Sequence, residues 1–337
     1  MAANQEATEG RHVGGLLTVL AAAAAMGTLG PVAGVAYREG LEPATLSALR
    51  AGIGAAILGA LVLSGRQPSV SLTRLPARQR TMLLLAVVIN GLMNLVLFFA
   101  FGAMAVGLVM AIFYCYPVLV ALMSAALGRE RLTPVRVLAL AISCAGLALV
   151  LGSQLGPGAH ATAAGIVLAA IAALCHAIYL VAIRGGFDDV PAVQATSLVL
   201  LGGLAISGTA AIVMGGAGGA GEWITSPAAW AAILCAATFG ALPKVWIMGG
   251  VRRIGSTRAA VALLVEPVVA VVVAAVLLDQ QLTAAELAGG AAILAAVVLM
   301  QRPDPGAGST REAEGAEGAE AVPRAEGTGP LGGSTVQ

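Results

Sequence analysis

Two halves of this chain match at a constant offset of 150 residues. Around Pro117 the sequence reads Tyr116-Pro117-Val-Leu-Val-Ala-Leu, followed by Gly128-Arg-Glu-Arg-Leu-Thr133. Around Pro267 it reads Glu266-Pro267-Val-Val-Ala-Val-Val, followed by Asp279-Gln-Gln-Leu-Thr283. Pro117/Pro267, Val118/Val268, Leu127/Leu277, Leu132/Leu282 and Thr133/Thr283 coincide without a gap, as do Ala125/Ala275, Ala141/Ala291, Ala145/Ala295 and Leu149/Leu299. Alanine matches are cheap in an alanine-rich chain, whereas the proline and Leu-Thr matches are not. A duplicated half restricts the fold to two copies of one unit facing each other.

The material of each copy is set by charge scarcity. Of 337 residues, 59% are hydrophobic and 10% charged, and mean hydropathy is +0.93. A soluble domain carries about 25% charged residues, so this chain has no polar shell for a water-facing surface. Ten apolar stretches have roughly the 20 residues needed to span a bilayer: 13–36, 43–64, 82–103, 105–127, 134–153, 163–184, 192–214, 228–250, 256–278 and 284–301. Backbone polar groups in hydrocarbon must pair internally, which leaves helices or a closed barrel. Barrel strands alternate apolar and polar residues, and runs such as Val261–Leu278 do not. The sequence therefore predicts an all-α polytopic membrane protein. The apolar run Leu16–Met26 continues into further spans, which favours a retained first helix over a cleaved signal peptide.

Basic residues orient the spans. With the N-terminus in the cytoplasm, fifteen of the eighteen Lys and Arg residues fall on the inner side, only Arg38 falls outside, and Arg50 and Lys244 lie within spans. That is the positive-inside pattern, and it places both termini in the cytoplasm. Five spans per half is an odd number, so the second half starts on the opposite side. The ten helices are thus expected as two inverted five-helix repeats, 13–153 and 163–301. Residues 1–12 form a polar N-terminal segment. Residues 302–337, rich in Gly, Ala, Glu and Pro, bury too little apolar surface to fold alone and are expected to be a disordered acidic tail.

Local signals agree. Thr133-Pro134 offers a helix N-cap with proline at the first helical position. Thr283-Ala-Ala-Glu286 fits a capping box, and Gly52, Gly54 and Gly59 suit close helix contact in lipid. Cys115, Cys144, Cys175 and Cys235 each fall in a different span without metal-ligand spacing and read as small apolar filler.

The block from Tyr116-Pro117 through Glu130 and Leu132-Thr133 to Gly146 resembles the closing part of an EamA domain. Leu264-Val-Glu266-Pro267, with Leu282-Thr283 and the final small-residue helix, resembles the same element again. Ala241-Leu-Pro243 through Arg252-Arg253 is similar to the preceding helix of amino-acid exporters in that family. Over roughly residues 13–301 the chain thus resembles the drug/metabolite transporter superfamily, ten-helix EamA branch. The resemblance implies export of amino acids or other small metabolites across the inner membrane. Two departures bear on mechanism. Gln280 stands where the repeat commonly keeps a glutamate, matched by Glu130 in the first copy. No acid lies between Gly10 and Arg38, so the first-helix glutamate that couples protons in small multidrug-resistance proteins has no counterpart.

An ionisable side chain at a bilayer centre costs about 2.5–3.5 kcal/mol on insertion scales and marks function by default. Glu266 falls in the ninth span, Lys244 in the eighth after Pro243, and Arg50 in the outer half of the second. At the repeat offset Glu266 corresponds to Tyr116 and Lys244 to Asn94. Asn90 and Asn94 share a helix face, as do His176 and Tyr179. These positions predict a substrate-binding cavity of Asn94, Tyr116, His176, Tyr179, Lys244 and Glu266. Lys244 would meet a substrate carboxylate or Glu266, and Glu266 would meet an ammonium group or carry a proton. Pro117 and Pro267 would kink their helices and free carbonyls toward the cavity. Arg50 has the reach to anchor at the outer interface. Structural alternatives stand beside each role: a Lys244–Glu266 pair, a packing histidine, and hydrogen-bonded helix contacts for Tyr116 and Asn94.

The predicted activity is secondary transport, in the exporting direction, of a small polar metabolite such as an amino acid, by alternating access between the repeats. Multidrug efflux and a facilitative permease or channel-like pore are the alternatives. Coupling to protons or a counter-substrate is open, and a homodimer is compatible with the chain. No Gly-x4-Gly-Lys-Ser/Thr loop is present, which argues against internal ATP drive. Clustered catalytic groups are missing from the spans, so no enzyme and no cofactor are expected. A net charge of +1 gives nucleic-acid binding no support.

Overall fold

A computed structural model of the chain describes residues 2–104, 106–130, 132–152, 161–213, 221–278 and 282–301. The segment expected as a tail, 302–337, lies outside them. The described residues are helical, without strands. The first repeat comprises α1 (Ala2–Gly27), α2 (Leu29–Arg38), α3 (Pro43–Leu63), α4 (Ala77–Ala103), α5 (Val106–Phe113), α6 (Tyr116–Ala126) and α7 (Pro134–Gly152). The second comprises α8 (Ala163–Ile183), α9 (Ala192–Val213), α10 (Pro227–Ile254), α11 (Ser256–Leu263), α12 (Val265–Leu278) and α13 (Ala284–Met300). Among the described residues nine helical stretches are long and apolar enough to cross a membrane, and α13 is a tenth, shorter apolar helix. The protein is a polytopic membrane protein of two five-span repeats.

Helix starts repeat at the sequence offset: Ala77 and Pro227, Val106 and Ser256, Pro134 and Ala284 stand 150 residues apart. Packing repeats as well. The most extensive contacts join α3 to α9, α7 to α13, α1 to α10 and α4 to α8. Exchanging the halves turns α3–α9 and α7–α13 into themselves and α1–α10 into α8–α4, which is the signature of an internal twofold axis. At the α7–α13 contact the symmetry-related pairs are Gly146/Ala296 and Ala139/Gly289, all four buried. A Cβ on Gly146 would stand 2.7 Å from the Gly289 carbonyl oxygen, and one on Gly289 would stand 2.5 Å from that of Gly146. Without a hydrophobic drive between helices in lipid, such close backbone approach is what supplies contact. Gly54 plays the same part on α3, against Ala241 and Leu200.

Side chains also sort the loops into two ends. Gln194 exchanges hydrogen bonds with the Val70 backbone at 2.9 and 2.8 Å, and Arg129 donates to the carbonyls of Val181 and Arg184 at 2.7 and 2.9 Å. Arg252 reaches those of Val190 and Phe187. This is the arginine-rich end. At the other, Ser226 donates to Glu39 at 2.7 Å and Thr162 to the Ala103 carbonyl at 2.8 Å. The partition is the one that the basic residues predict. The capping box at α13 also forms. Glu286 accepts from the Thr283 N–H at 2.8 Å, and the Thr283 hydroxyl accepts from the Glu286 N–H at 3.2 Å.

Candidate functional site

Polar side chains in these spans need internal partners, and they find them where α3, α4, α9 and α10 meet. A cavity of about 20 Å³ lies there, lined by Ser47, Arg50, Ala51, Asn90, Asn94, Val199, Leu200, Gly203, Ser207, Gly240 and Lys244. Three pairs in this lining stand 150 residues apart: Arg50/Leu200, Asn90/Gly240 and Asn94/Lys244. The cavity therefore straddles the internal twofold axis, the place where a repeat-built carrier keeps its site. The pairs are chemically unequal, since one partner of the first two is apolar or bare and only the third is polar on both sides.

Lys244 donates to Asn90 Oδ1 at 3.3 Å, and its Nζ stands 5.8 Å from the Tyr179 ring centroid, within cation–π range. Asn94 turns back on its own helix and donates to the Asn90 carbonyl at 2.7 Å. Asn90 is 2% exposed, yet its Nδ2 has no hydrogen-bond partner, and neither does the buried Tyr179 hydroxyl. Such unmet donors in an apolar surround cost free energy.

Beside the cavity lies an aromatic cluster. Tyr116 meets His176 edge-on with centroids 4.5 Å apart, and Phe113 lies 5.3 Å from the same imidazole. His176 and Tyr179 are 6.2 Å apart. The Tyr116 hydroxyl donates to the Ala260 carbonyl at 3.3 Å, tying α6 to α11, and His176 Nδ1 contacts Met93 Sδ at 3.2 Å. Glu266, in the first turn of α12, interacts electrostatically with Tyr114, Lys244 and Arg50. Among the described residues it forms no ion pair within 4.0 Å with either cation.

Of the six residues expected to build the cavity, Asn94 and Lys244 line it, and Tyr179 joins it through Lys244. Tyr116 and His176 belong to the adjoining aromatic cluster, and Glu266 adds its charge from α12. Pro117 and Pro267 sit where their spans are interrupted: α5 ends at Phe113 and α6 begins at Tyr116, while α11 ends at Leu263 and α12 begins at Val265. Both prolines occupy the first turn of the new helix, where the missing N–H costs nothing.

Arg50 departs from its expectation. It does not reach out to the interface. Its aliphatic stem lies along Gly240, with Cδ 3.1 Å from where a Cβ on that glycine would stand, and its guanidinium interacts electrostatically with Tyr37 and Glu266. Gly240 has no side chain, so the inward rotamer has room. The sequence also under-weighted Asn90, because its repeat partner is a glycine and shows no polar group. The offset that linked Asn94 to Lys244 gives no polar signal at Asn90/Gly240 or at Arg50/Leu200.

Glu130 has a definite place below the cavity, at the arginine-rich end. Its Oε1 accepts from the Ser256 hydroxyl at 3.1 Å and from the Thr257 N–H at 3.4 Å, so it caps the start of α11. Arg136 stands 3.5 Å from its other oxygen, and Ser124 and Ser256 share a hydrogen bond at 2.9 Å. Gly255, at φ +95°, makes the turn into α11, and a Cβ there would also meet Arg184 and Glu130. The cluster ties α6 and its following loop in the first repeat to α11 in the second.

The family model described as EamA-like transporter family matches residues 13–152 and again residues 163–302. No curated protein matches the chain. A solved crystal structure superposes with a TM-score of 0.69 at 22% identity, covering 86% of this chain and 98% of its own. At that identity the likeness shows the fold.

Proposed function

The chain belongs to the EamA-like transporter family, and from that premise we propose that it is a secondary transporter exporting a small polar metabolite, such as an amino acid, across a bacterial inner membrane. The observation that carries the reading is the polar cavity on the internal twofold axis, with Lys244, Asn90 and Asn94 contributed by corresponding helices of the two repeats. In this conformation the cavity has room for about one water. A metabolite enters only as the repeats move apart, the movement that alternating access supplies.

In this mechanism Lys244 and Asn90 present donors to the substrate, and the Tyr179 and His176 rings wall the site against lipid. Glu266 exchanges a proton or a substrate ammonium group as the site changes sides. The Glu130 cluster closes the arginine-rich end, which positive-inside bias assigns to the cytoplasm together with both termini. Drive comes from a proton or counter-substrate gradient.

Counterflow into proteoliposomes holding the full chain tests the proposal. A labelled amino-acid mixture should accumulate only when unlabelled amino acids are trapped inside, and Lys244→Ala and Glu266→Gln should each lower the rate by about tenfold or more. Unchanged flux in both variants would remove the cavity from the mechanism.

A further inference from the structure

Taking the cavity as the transport site, we propose that it selects a substrate bearing a carboxylate and a net charge of −1, with Arg50 and Lys244 as its receptors. Two cations, Arg50 and Lys244, line the cavity, and among the described residues Glu266 is the carboxylate acting on both. With Glu266 ionised the trio carries +1, and with Glu266 protonated it carries +2. Either state leaves uncompensated positive charge in a low-dielectric place, where isolated charge is expensive. A zwitterion leaves that balance unchanged. A monoanion neutralises the first state and halves the second.

Donor supply points the same way. Lys244 spends one of its three N–H bonds on Asn90 Oδ1, and the guanidinium of Arg50 has no hydrogen-bond acceptor among the described residues. Among the described residues no carboxylate stands within 4.0 Å of either cation. The Asn90 Nδ2, nine-tenths buried and more, is a third unmet donor on the same wall. The cavity thus offers a planar fork, an ammonium and an amide N–H and is short of acceptors. A carboxylate supplies two acceptor oxygens of the geometry that a guanidinium matches bidentately. The bare Gly240 surface keeps Arg50 turned into the site.

Thermal unfolding of the full chain in lipid nanodiscs, titrated with glutamate, lactate, alanine and alaninamide, tests the assignment. Glutamate and lactate should raise Tm saturably, alanine should do so only at concentrations about tenfold higher, and alaninamide should not. Arg50→Gln should weaken the two anions by about thirtyfold or more, and Arg50→Lys should restore part of the effect. Should Arg50→Gln fail to fold, the wild-type order of anion, zwitterion and amide decides alone. Equal shifts from alanine and lactate, a shift from alaninamide, or no shift from either anion overturns the proposal. Counterflow of a zwitterion undiminished in Arg50→Gln would also overturn it while leaving the transporter reading intact, and no counterflow of any solute would sink that reading even if the anions still raised Tm.

Discussion

Arg50 lies along Gly240, its Cδ 3.1 Å from the position a Cβ would take on that glycine. A cation of the first repeat is thereby held inside by a missing side chain in the second. Gly240→Ala puts a methyl group into that contact and pushes the head group out of the cavity. Transport of the preferred solute should show KM raised by about three- to tenfold, equivalent to roughly 0.7–1.4 kcal/mol, with Tm nearly unchanged because a long flexible side chain can give way. An unaltered KM would show that Arg50 takes no part in binding.

The capping role of Glu130 gives a second expectation. Removing a cap costs about 0.5–2 kcal/mol, so Glu130→Ala should lower Tm by a few degrees. Opening the seal should also expose Ser124, now fully buried. In Ser124→Cys, maleimide labelling should be slow, and adding Glu130→Ala should quicken it by about tenfold. Equal labelling rates would show that the cluster does not seal that end.

At the α7–α13 contact, Gly146 and Gly289 leave no room for a side chain. Gly289→Val should push the helices apart and cost about 1–3 kcal/mol, read as a lowered Tm in detergent. Gly102→Val is the control, since nothing lies within 4 Å of that glycine's Cβ direction.

The inverted arrangement has its own test. Gln67→Cys and Ala161→Cys sit in connectors at opposite ends. An impermeant maleimide applied to intact cells should label Ala161→Cys and spare Gln67→Cys. Labelling of both from one side would contradict the five-span count per repeat.

Much of this architecture is legible in the sequence, and the reason is the duplication. Pro117 and Pro267 mark the two matched span interruptions because a ring without an N–H belongs in the first turn of a helix. Thr283 and Glu286 mark a helix start because their side chains answer each other's backbone N–H. The direction of Arg50 is different in kind. It depends on a vacancy at Gly240, far away in sequence, and local hydropathy places a lone arginine at the nearest interface. The Glu130 cap was hidden likewise. The sequence marked it as a repeat position, while its partners Ser256 and Thr257 lie in the other half and meet it only after both repeats have packed.

The paired interruptions, Phe113/Tyr116 in one repeat and Leu263/Val265 in the other, carry a consequence for the transport cycle. Each repeat has a joint at this internal station, but the two joints run in opposite directions through the bilayer. A carrier built this way needs no separate blueprint for its opposite-facing form. If each half adopts the bend its twin now holds, the two ends exchange roles, and the energies of the two forms stay close because each is assembled from the same two shapes with their owners exchanged.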